Sequence, residues 1–228
     1  MAQADGEGAE LTNVKVKRDY VKVKRDAATS RALILDAAER LFAENGFDGV
    51  PMRTISSGAG IGLGLLTYHF PAKEALLEAV IARRAGSLKD AQFAAFARLS
   101  PSDTLEDVMD AFTRPILELM SSGDPGWRAY GQLIAVLEQQ RRWMPLLQAY
   151  FRDIGFAAME RISIAEPRLD KAAGLRAFSC FISVIMGAFA INGGLDIISD
   201  GRMASEDLRA AYPTMMRFVV GGFRALTD

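Results

Sequence analysis

Apolar side chains recur at intervals of three and four residues through most of this chain, which is the spacing of one face of an α-helix. The first such stripe predicts a helix over about residues 30–45, with Thr29 or Ser30 as its N-cap. Asn45-Gly46 follows the stripe and suits a left-handed helix end. The patterned part of the chain therefore opens with a helix.

Two short apolar segments follow, at about residues 52–59 and 63–69, and a longer stripe begins near Ala72. The short segments are separated by a turn at Gly60–Gly62, whose first glycine can take a positive φ. Two brief helices joined by a glycine turn and supported by longer helices form the helix-turn-helix layout. We therefore expect a small domain over residues 30–73 that presents its second short helix.

Apolar periodicity continues almost to the C-terminus and predicts five further helices. Pro115 and Pro213 fall inside this pattern and are expected to bend their helices, and a cavity can open beside Pro115. The expected fold class is all-α, with an N-terminal three-helix helix-turn-helix domain and a C-terminal antiparallel helical bundle, about nine helices in all. The bundle domain would span residues 74–228, with helices near 103–121, 126–140, 143–165, 168–198 and 205–226.

Positive charge is concentrated in the first third of the chain, although the net charge is only −1. Residues 14–73 carry ten Lys and Arg against six Asp and Glu, whereas the later residues carry more acids than bases. A tandem repeat, VKVKRDY followed by VKVKRD, occupies Val14–Asp26. We interpret residues 1–29 as a flexible basic arm, which either follows DNA phosphates or is only a solvated leader.

The residue types that many enzymes and metal sites need are scarce. His69 is the only histidine, so the chain has neither a histidine cluster for a metal nor a second histidine for a catalytic triad. The glycines from Gly58 to Gly64 lack the spacing of a nucleotide-binding loop. We therefore expect no enzyme activity, no cofactor and no bound metal. Cys180, the only cysteine, indicates a reducing cytoplasm and is expected to be buried.

One segment, residues 177–195, has no charged side chain and approaches the length of a membrane span. It also contains serines, an asparagine and three glycines, which suit close packing against another helix. We interpret it as a helix buried in a core or a subunit interface, with a membrane-attached protein as the alternative. The N-terminal residues lack the apolar stretch of a signal peptide, so none is expected.

The order of motifs in the first third resembles the DNA-binding signature of TetR-family transcriptional regulators. Ile34–Gly46, with the sequence ILDAAERLFAENG, is similar to the first helix of that family. Arg53–Leu76, with the sequence RTISSGAGIGLGLLTYHFPAKEAL, resembles its two short helices and the start of the next one. The resemblance covers about residues 30–84 and is limited elsewhere to helical character and length.

The resemblance implies a role for individual positions. The helix at Gly62–His69 would lie in the major groove, with Leu63, Gly64 and Leu65 nearest to the base edges. Phosphate contacts and DNA shape would carry much of the affinity, and Arg53 and Thr67 would share base recognition. Phosphates would be reached by Thr67, Tyr68 and Lys73. The full set of expected DNA contacts is Arg53, Gly62, Leu63, Gly64, Leu65, Thr67, Tyr68, His69 and Lys73.

The chain departs from the usual pattern of the family at several positions. Gly62 stands where Ser or Thr is common, and the tyrosine follows Thr67 instead of occupying its position. Pro51 and Ala72 stand where capping residues are common, and loss of a side-chain cap for alanine costs about 1 kcal/mol. The DNA-binding unit is therefore expected to be softer than average until DNA orders it.

The C-terminal part contains aromatic and methionine side chains that suggest an apolar ligand cavity between helices. The expected ligand contacts are Trp127, Tyr130, Met144 and Phe151. The last two helices are expected to form a homodimer interface. Its expected contacts are Phe178, Phe181, Ile185, Phe189, Phe218 and Val219.

Together these features predict a ligand-responsive, DNA-binding transcriptional regulator. A homodimer would place two recognition helices about one DNA turn or a multiple apart, so its double-stranded DNA operator would be palindromic. A small apolar effector would favour a geometry that no longer fits the operator, and the protein would act as a repressor. The alternative is a helical ligand carrier whose DNA binding has weakened or been lost.

Overall fold

The computed structural model of the chain describes residues 27–227, which form ten α-helices and one 3₁₀ turn, with no strand in that range. The basic arm expected over residues 1–29 lies outside the described residues, except for positions 27–29. The all-α fold class is confirmed. The elements are α1 (Ala27–Asn45), α2 (Met52–Gly58), α3 (Leu63–His69), α4 (Lys73–Phe96), α5 (Leu105–Met120), α6 (Pro125–Glu138), the 3₁₀ turn (Arg141–Trp143), α7 (Met144–Ala165), α8 (Lys171–Phe189), α9 (Gly194–Ile198) and α10 (Leu208–Arg224).

The beginning of α1 differs from its prediction. Thr29 and Ser30, expected as N-caps, lie inside the helix, because Ala27 and Ala28 are already helical. Alanine has the strongest helix propensity, so the two alanines carry the helix past residues that could have ended it. The other end agrees with the prediction, since α1 stops before Gly46, whose φ is 70°.

The short helices α2 and α3 depend on burial more than on caps. α3 has the bounds predicted from the sequence, and Gly60, in the turn before it, has a φ of 65°. Neither helix has a side-chain cap, because Pro51 and Gly62 stand at their N-cap positions. Ile55 and Leu66 are completely buried. Such short helices persist only through tertiary packing of this kind.

The single helix predicted over residues 168–198 is broken into α8 and the short α9. Between them, Ile191 and Gly193 have left-handed φ values of 50° and 75°. A left-handed residue ends an α-helix. The side chain of Asn192 then accepts a hydrogen bond from the backbone N–H of Gly194 at 3.0 Å, which holds the turn. The asparagine and glycines of this segment therefore redirect the chain.

Two apolar cores share the helix α6. The first core joins α1–α4 to α6 and α7 and includes Leu133 and Leu137 of α6. The second core fills the C-terminal bundle and includes Tyr130 of the same helix. The expected domain boundary after residue 73 falls at the start of α4, whose first half is buried in the first core. A displacement of α6 within the bundle would therefore act on the helices that support α3.

Candidate functional site

One side of α3 faces solvent while the other side is anchored in the first core. Leu66 is completely buried, whereas Tyr68 is 79% exposed and Leu63 and Leu65 are 39% and 41% exposed. Gly64 lies between the two leucines, with open space where a side chain would stand. The exposed side of α3 is therefore apolar, accessible at its backbone and bordered by a phenol.

The hydroxyl group of Thr67 is engaged within α3. It donates to the carbonyl oxygens of Leu63 and Gly64, each 3.1 Å away. A threonine hydroxyl has a single hydrogen, so donation to a phosphate or a base would require it to leave these carbonyls. In the described conformation Thr67 offers only acceptor lone pairs to a ligand.

Three basic side chains come from elements around α3. Lys73 begins α4, and its Nζ lies 4.4 Å from the ring centre of Phe47. Arg53 is exposed on α2 and forms no ion pair within residues 27–227. Arg31 of α1 lies 5.4 Å from the ring centre of Phe70, the residue that follows α3. Arg31 was not among the predicted DNA contacts, because no sequence pattern links α1 to a residue as distant along the chain as Phe70.

The start of α4 offers backbone N–H groups to an anion. The N–H of Leu76 bonds to the carbonyl of Ala72 at 3.2 Å, and no side chain caps the helix at Ala72. The earlier N–H groups of the first turn have no acceptor within the helix. These groups and the helix dipole lie beside Lys73, an arrangement that favours a negative charge. The carboxylate of Glu74, in the same turn, also interacts favourably with this end of the helix dipole.

His69 is half-buried at the end of α3. Its Nε2 is buried and has no hydrogen-bond partner among the described residues. Its ring packs near those of Tyr68 and Phe70, with centre distances of 5.5 and 6.4 Å. The histidine therefore contributes to packing at the end of α3, and the neighbouring tyrosine is the residue that projects.

A cavity of about 890 Å³ lies within the C-terminal bundle. Apolar side chains from α4 to α8 dominate its wall and include aromatic, methionine, leucine and isoleucine residues. Phe112 and Ile116 are among them and stand on either side of Pro115, which lies inside the unbroken α5, so the cavity adjoins the position where a bend was predicted. The four residues expected as ligand contacts all line it: Trp127, Tyr130, Met144 and Phe151.

The polar part of the cavity wall is small. Gln92 is 2% exposed, and its Nε2 donates to the carbonyl oxygen of Phe112 at 2.8 Å. Its Oε1 has no partner in the described part of the chain. Arg152, Glu160 and Lys171 also line the cavity but are exposed, so they belong to its mouth. A largely apolar molecule with few polar groups fits such a wall.

Two cavity residues of α6 also contact α4. The hydroxyl of Tyr130 donates to the carbonyl oxygen of Ile81 at 3.3 Å, and burial raises the pKa of this phenol, which keeps it protonated. Trp127 packs against Arg84, whose guanidinium carbon lies 4.8 Å from the ring centre. The wall of the cavity is thus in direct contact with the helix whose first turn borders α3.

Most of the residues expected at a dimer interface lie inside the protomer. They cannot contact a second copy while the second core is intact. Of the six residues, Phe178 lines the cavity and Phe218, at 71% exposed, faces solvent. The other four are each at most 6% exposed: Phe181, Ile185, Phe189 and Val219.

Cys180 is exposed on α8, contrary to the expectation that it is buried. Ser179, Ser183 and Gly187 are exposed on the same helix. Because α8 carries large apolar residues inward and small residues outward, its composition alone does not show which face belongs to the core. Within residues 27–227, α8 is also the helix that is long and apolar enough to cross a membrane, and 22% of its most apolar window is buried.

Two sequence families match this chain. Residues 34–80 match the bacterial regulatory proteins of the tetR family, and residues 110–222 match the tetracyclin repressor-like C-terminal domain. The chain belongs to the TetR family. Proteins of this family are DNA-binding transcription regulators, a class distinct from enzymes.

The TetR-family relatives include the HTH-type transcriptional regulator UidR of Escherichia coli strain K12. UidR is 41% identical to this chain over 59 residues, which make up 26% of this chain and 30% of UidR. The alignment therefore spans less than a third of the relative's length.

Solved structures share the fold at lower identity. The fatty acid degradation regulator FadR from Bacillus halodurans has 17% identity and a TM-score of 0.62, and the match covers 86% of this chain and 96% of FadR. The hemolysin II transcriptional regulator HlyIIR has 19% identity and a TM-score of 0.57, with 89% and 99% covered. At such identities the likeness shows the fold alone.

The two TetR-family matches divide the site between them. The N-terminal match runs from α1 into α4 and contains α2, α3 and Lys73. The C-terminal match runs from within α5 into α10 and therefore contains most of the cavity wall and the exposed face of α8. Arg84, which joins the two regions, lies outside both matches.

Proposed function

We propose that this TetR-family chain is a repressor that binds a palindromic operator and is released from it by a small apolar effector. The observation that carries the proposal is the solvent-facing side of α3, where Leu63, Leu65 and Tyr68 project from a helix anchored by a buried residue. A helix presented in this way fits the major groove. DNA binding is assigned to residues 30–73, ligand binding and dimerisation to 74–228, and the protein to the cytoplasm.

Base recognition by α3 would rest on contact and shape more than on side-chain hydrogen bonds. Leu63 and Leu65 can pack against thymine methyl groups, and Gly64 permits a close approach of the backbone. Thr67 would act mainly as an acceptor, because its hydrogen is directed at α3 carbonyls. Arg53 is exposed and forms no ion pair in the described region, so it is the side chain best able to reach a base edge.

Phosphate contacts would surround the recognition helix. Lys73 and the first turn of α4 offer one phosphate both a cation and backbone N–H groups. The exposed phenol of Tyr68 can donate to a second phosphate. Arg31 adds a cation near the end of α3. The backbone at Gly62 is exposed, whereas His69 contributes least because its Nε2 is buried.

The effector would occupy the cavity in the C-terminal bundle. Its largely apolar wall fits an apolar compound, and α6 connects that wall to the first core. A ligand that displaces α6 would change the position of α1 and α4 relative to the bundle. Ligand and operator would then each weaken the binding of the other.

Dimerisation would use the exposed faces of α8 and α10. The small side chains on α8 would allow a partner helix to approach closely, and Phe218 of α10 supplies exposed apolar area. The C-terminal family match includes α8, which favours an interface over a membrane span for this apolar helix. The contacts proposed on these two helices are Leu175, Ser179, Cys180, Ser183, Gly187 and Phe218.

A ligand carrier with weakened DNA binding is the second candidate. It is favoured by the composition of α3, whose exposed side offers leucines and glycines and few groups that donate to a base. Both candidates share the cavity and differ in whether α3 binds a duplex.

Selection from a pool of random duplexes distinguishes the two candidates. The wild-type protein is used to enrich bound DNA. Affinity for the enriched sequence (the selected duplex) is then measured by fluorescence anisotropy at several salt concentrations. The repressor proposal expects an inverted repeat and a logarithm of affinity that falls linearly with the logarithm of salt. Failure to enrich any sequence, with no salt-dependent binding to the pool, would favour the carrier.

The effector is tested separately. Native mass spectrometry of protein purified from its own host is expected to show an additional small mass, and addition of the selected duplex should reduce its occupancy. Equal occupancy with and without the duplex would contradict release of the operator by this ligand.

A further inference from the structure

A buried carboxylate lies where α1 packs against α4. The side chain of Glu39 is 2% exposed, and it accepts hydrogen bonds from both Arg83 and Arg84. A carboxylate at such a depth requires a partner, because an unpaired buried charge is costly. The position of Glu39, and with it the position of α1, is therefore tied to the two arginines of α4.

Arg84 of α4 contacts two other helices at once, α1 and the start of α6. Its Nε and Nη2 donate to the two carboxylate oxygens of Glu39 at 2.6 and 3.1 Å, and its Nη1 donates to Asp124 at 3.0 Å. Asp124 in turn caps α6 by accepting from the backbone N–H of Gly126 at 2.8 Å. Burial opposes the charge of Arg84, but hydrogen bonds and attraction from Glu39 and Asp124 outweigh it and raise the pKa of the guanidinium.

The same guanidinium also touches the cavity wall. Its carbon lies 4.8 Å from the ring centre of Trp127, which lines the cavity and packs edge-on against Tyr130. Space for Arg84 exists because residue 126 is glycine. A Cβ at Gly126 would lie 1.9 Å from Nη2 of Arg84, far inside any tolerable contact. A methyl group at position 126 would therefore shift the guanidinium from its place beside Trp127 and Glu39.

The geometry points to Arg84 as the positioning residue through which the cavity wall and the DNA-binding helices sense each other. A ligand that moves Trp127 must move the guanidinium or lose its contact, and the guanidinium cannot move without disturbing the partner of the buried Glu39 on α1. This inference rests on the proposed function, and it names the residues that would connect its two sites.

Coupling between two sites is reciprocal, so it can be measured from the DNA side without an identified effector. The chain has two tryptophans, Trp127 and Trp143. In a Trp143→Phe protein, the emission of Trp127 reports on the cavity wall. Phenylalanine retains the aromatic contact that Trp143 makes with Phe47 at 4.8 Å. A purely structural ion pair would affect stability without making this emission depend on bound DNA.

The experiment measures the change in Trp127 emission when the Trp143→Phe protein is saturated with the selected duplex. We expect a change in the parent, and a change smaller by a factor of about two or more after Gly126→Ala, which displaces Arg84 without removing a charge. Arg84→Met should have the same effect. Gly86→Ala is the matched control, because it adds a methyl group at an exposed position of α4 where a Cβ would meet no atom within 4 Å. This control should leave the duplex-induced change in Trp127 emission unaltered.

Each result has one meaning. If the duplex changes Trp127 emission as strongly in Gly126→Ala and Arg84→Met as in the parent, with saturation confirmed by anisotropy, the role of Arg84 is overturned. A parent protein whose Trp127 emission does not respond to the duplex overturns it as well. The double variant Gly126→Ala, Arg84→Met should show the same emission change as Arg84→Met alone. A smaller change in the double variant contradicts the role of Arg84, because the substitution at position 126 would then act without Arg84. Circular dichroism identifies a variant that fails to fold, and the other substitution then decides. A wild-type protein that enriches no duplex instead removes the proposed function itself.

Discussion

Two glycines, Gly60 before α3 and Gly64 within it, lack a side chain for different physical reasons. Gly60 takes a φ of 65°, which other residues adopt only at a cost in free energy. Gly64 lies inside α3 with ordinary helical geometry, and a Cβ there would meet no atom within 4 Å. Folding therefore explains the glycine at 60 but gives no reason for one at 64. Close approach of a ligand to the helix backbone does give a reason.

Replacing Gly64 by alanine separates stability from DNA binding. We expect Gly64→Ala to raise the free energy of unfolding by about 0.5–1 kcal/mol, because alanine is the better helix former. The same change should weaken binding to the selected duplex, because the methyl group occupies the space between α3 and the DNA. Urea denaturation and fluorescence anisotropy measure the two effects.

Gly60→Ala serves as the opposite control, since strain at positive φ should lower stability by about 1 kcal/mol. Stronger or unchanged duplex binding by Gly64→Ala would show that the backbone of α3 does not approach DNA.

Lys73 tests the proposed phosphate contact at the start of α4. Lys73→Ala should weaken binding to selected and random duplexes alike, and should reduce the slope of log affinity against log salt by about one. Anisotropy titrations at several salt concentrations measure both. Arg168→Ala, which removes an exposed cation after α7, is the control and should leave the slope unchanged. An unaltered slope for Lys73→Ala would remove this residue from the interface.

Single residues also mark the limit of what the sequence could predict. The exposure of Tyr68 follows from its place opposite buried Leu66 on one short helix, which is a local relation. The pairing of Arg84 with Glu39 crosses 45 positions, and no periodicity indicates it. Thr67 illustrates a third case, because its hydrogen bonds to the backbone compete with the DNA contact that its residue type implies.

Among the helices, the predicted ends agree best with the structure where a glycine or a proline stands at the end of the helix. α2 and α3 follow the sequence pattern closely, because Pro51 and the glycine turn confine them. α8 was predicted too long, since its apolar pattern continues past the left-handed Ile191. Its buried and exposed faces were confused for a related reason, since a helix with large residues on one face and small ones on the other is apolar on both.

The capping box of α5 is an element whose stability can be measured. Thr104 accepts from the backbone N–H of Asp107 at 3.3 Å, and Asp107 accepts from the backbone N–H of Thr104 at 2.9 Å. Thr104→Ala should lower the free energy of unfolding by about 1 kcal/mol in urea at neutral pH. Ser87→Ala, at an exposed position of α4, is the control. A loss no larger than that of the control would contradict the role of the box.

The same box predicts a dependence on pH. The hydroxyl and backbone N–H of Thr104 lower the pKa of Asp107 below its ordinary value of 3.8. A carboxylate whose folded pKa is lowered stabilises the protein above the unfolded pKa, and this contribution disappears as pH falls through the folded value. The difference between wild type and Thr104→Ala should therefore be constant from neutral pH to about 4 and shrink below it.

At the scale of the whole molecule, the two halves are less separate than their family matches suggest. α6 contributes to both cores, and Arg142, after α6, donates to Asp48 in the turn after α1 at 3.1 Å. This pair lowers the pKa of Asp48. The cavity and α3 thus belong to one packed structure, as the proposed coupling between them requires.

Assembly is tested on the exposed face of α8. Ser183→Arg should convert a dimer into a monomer in size-exclusion chromatography with light scattering, because a charged side chain replaces a small one where a partner helix would pack. Ser102→Arg, at an exposed position before α5, should leave the dimer intact. A dimer that survives Ser183→Arg would place the interface elsewhere.

Hydrogen exchange measured by mass spectrometry, with and without the selected duplex, tests directly whether the exposed side of α3 is the surface that binds DNA. We expect the duplex to slow exchange most strongly in peptides from Gly62 to Ala75, which contain α3 and the first residues of α4. Protection confined to the C-terminal bundle, with exchange in this segment unchanged at saturating duplex, would contradict it.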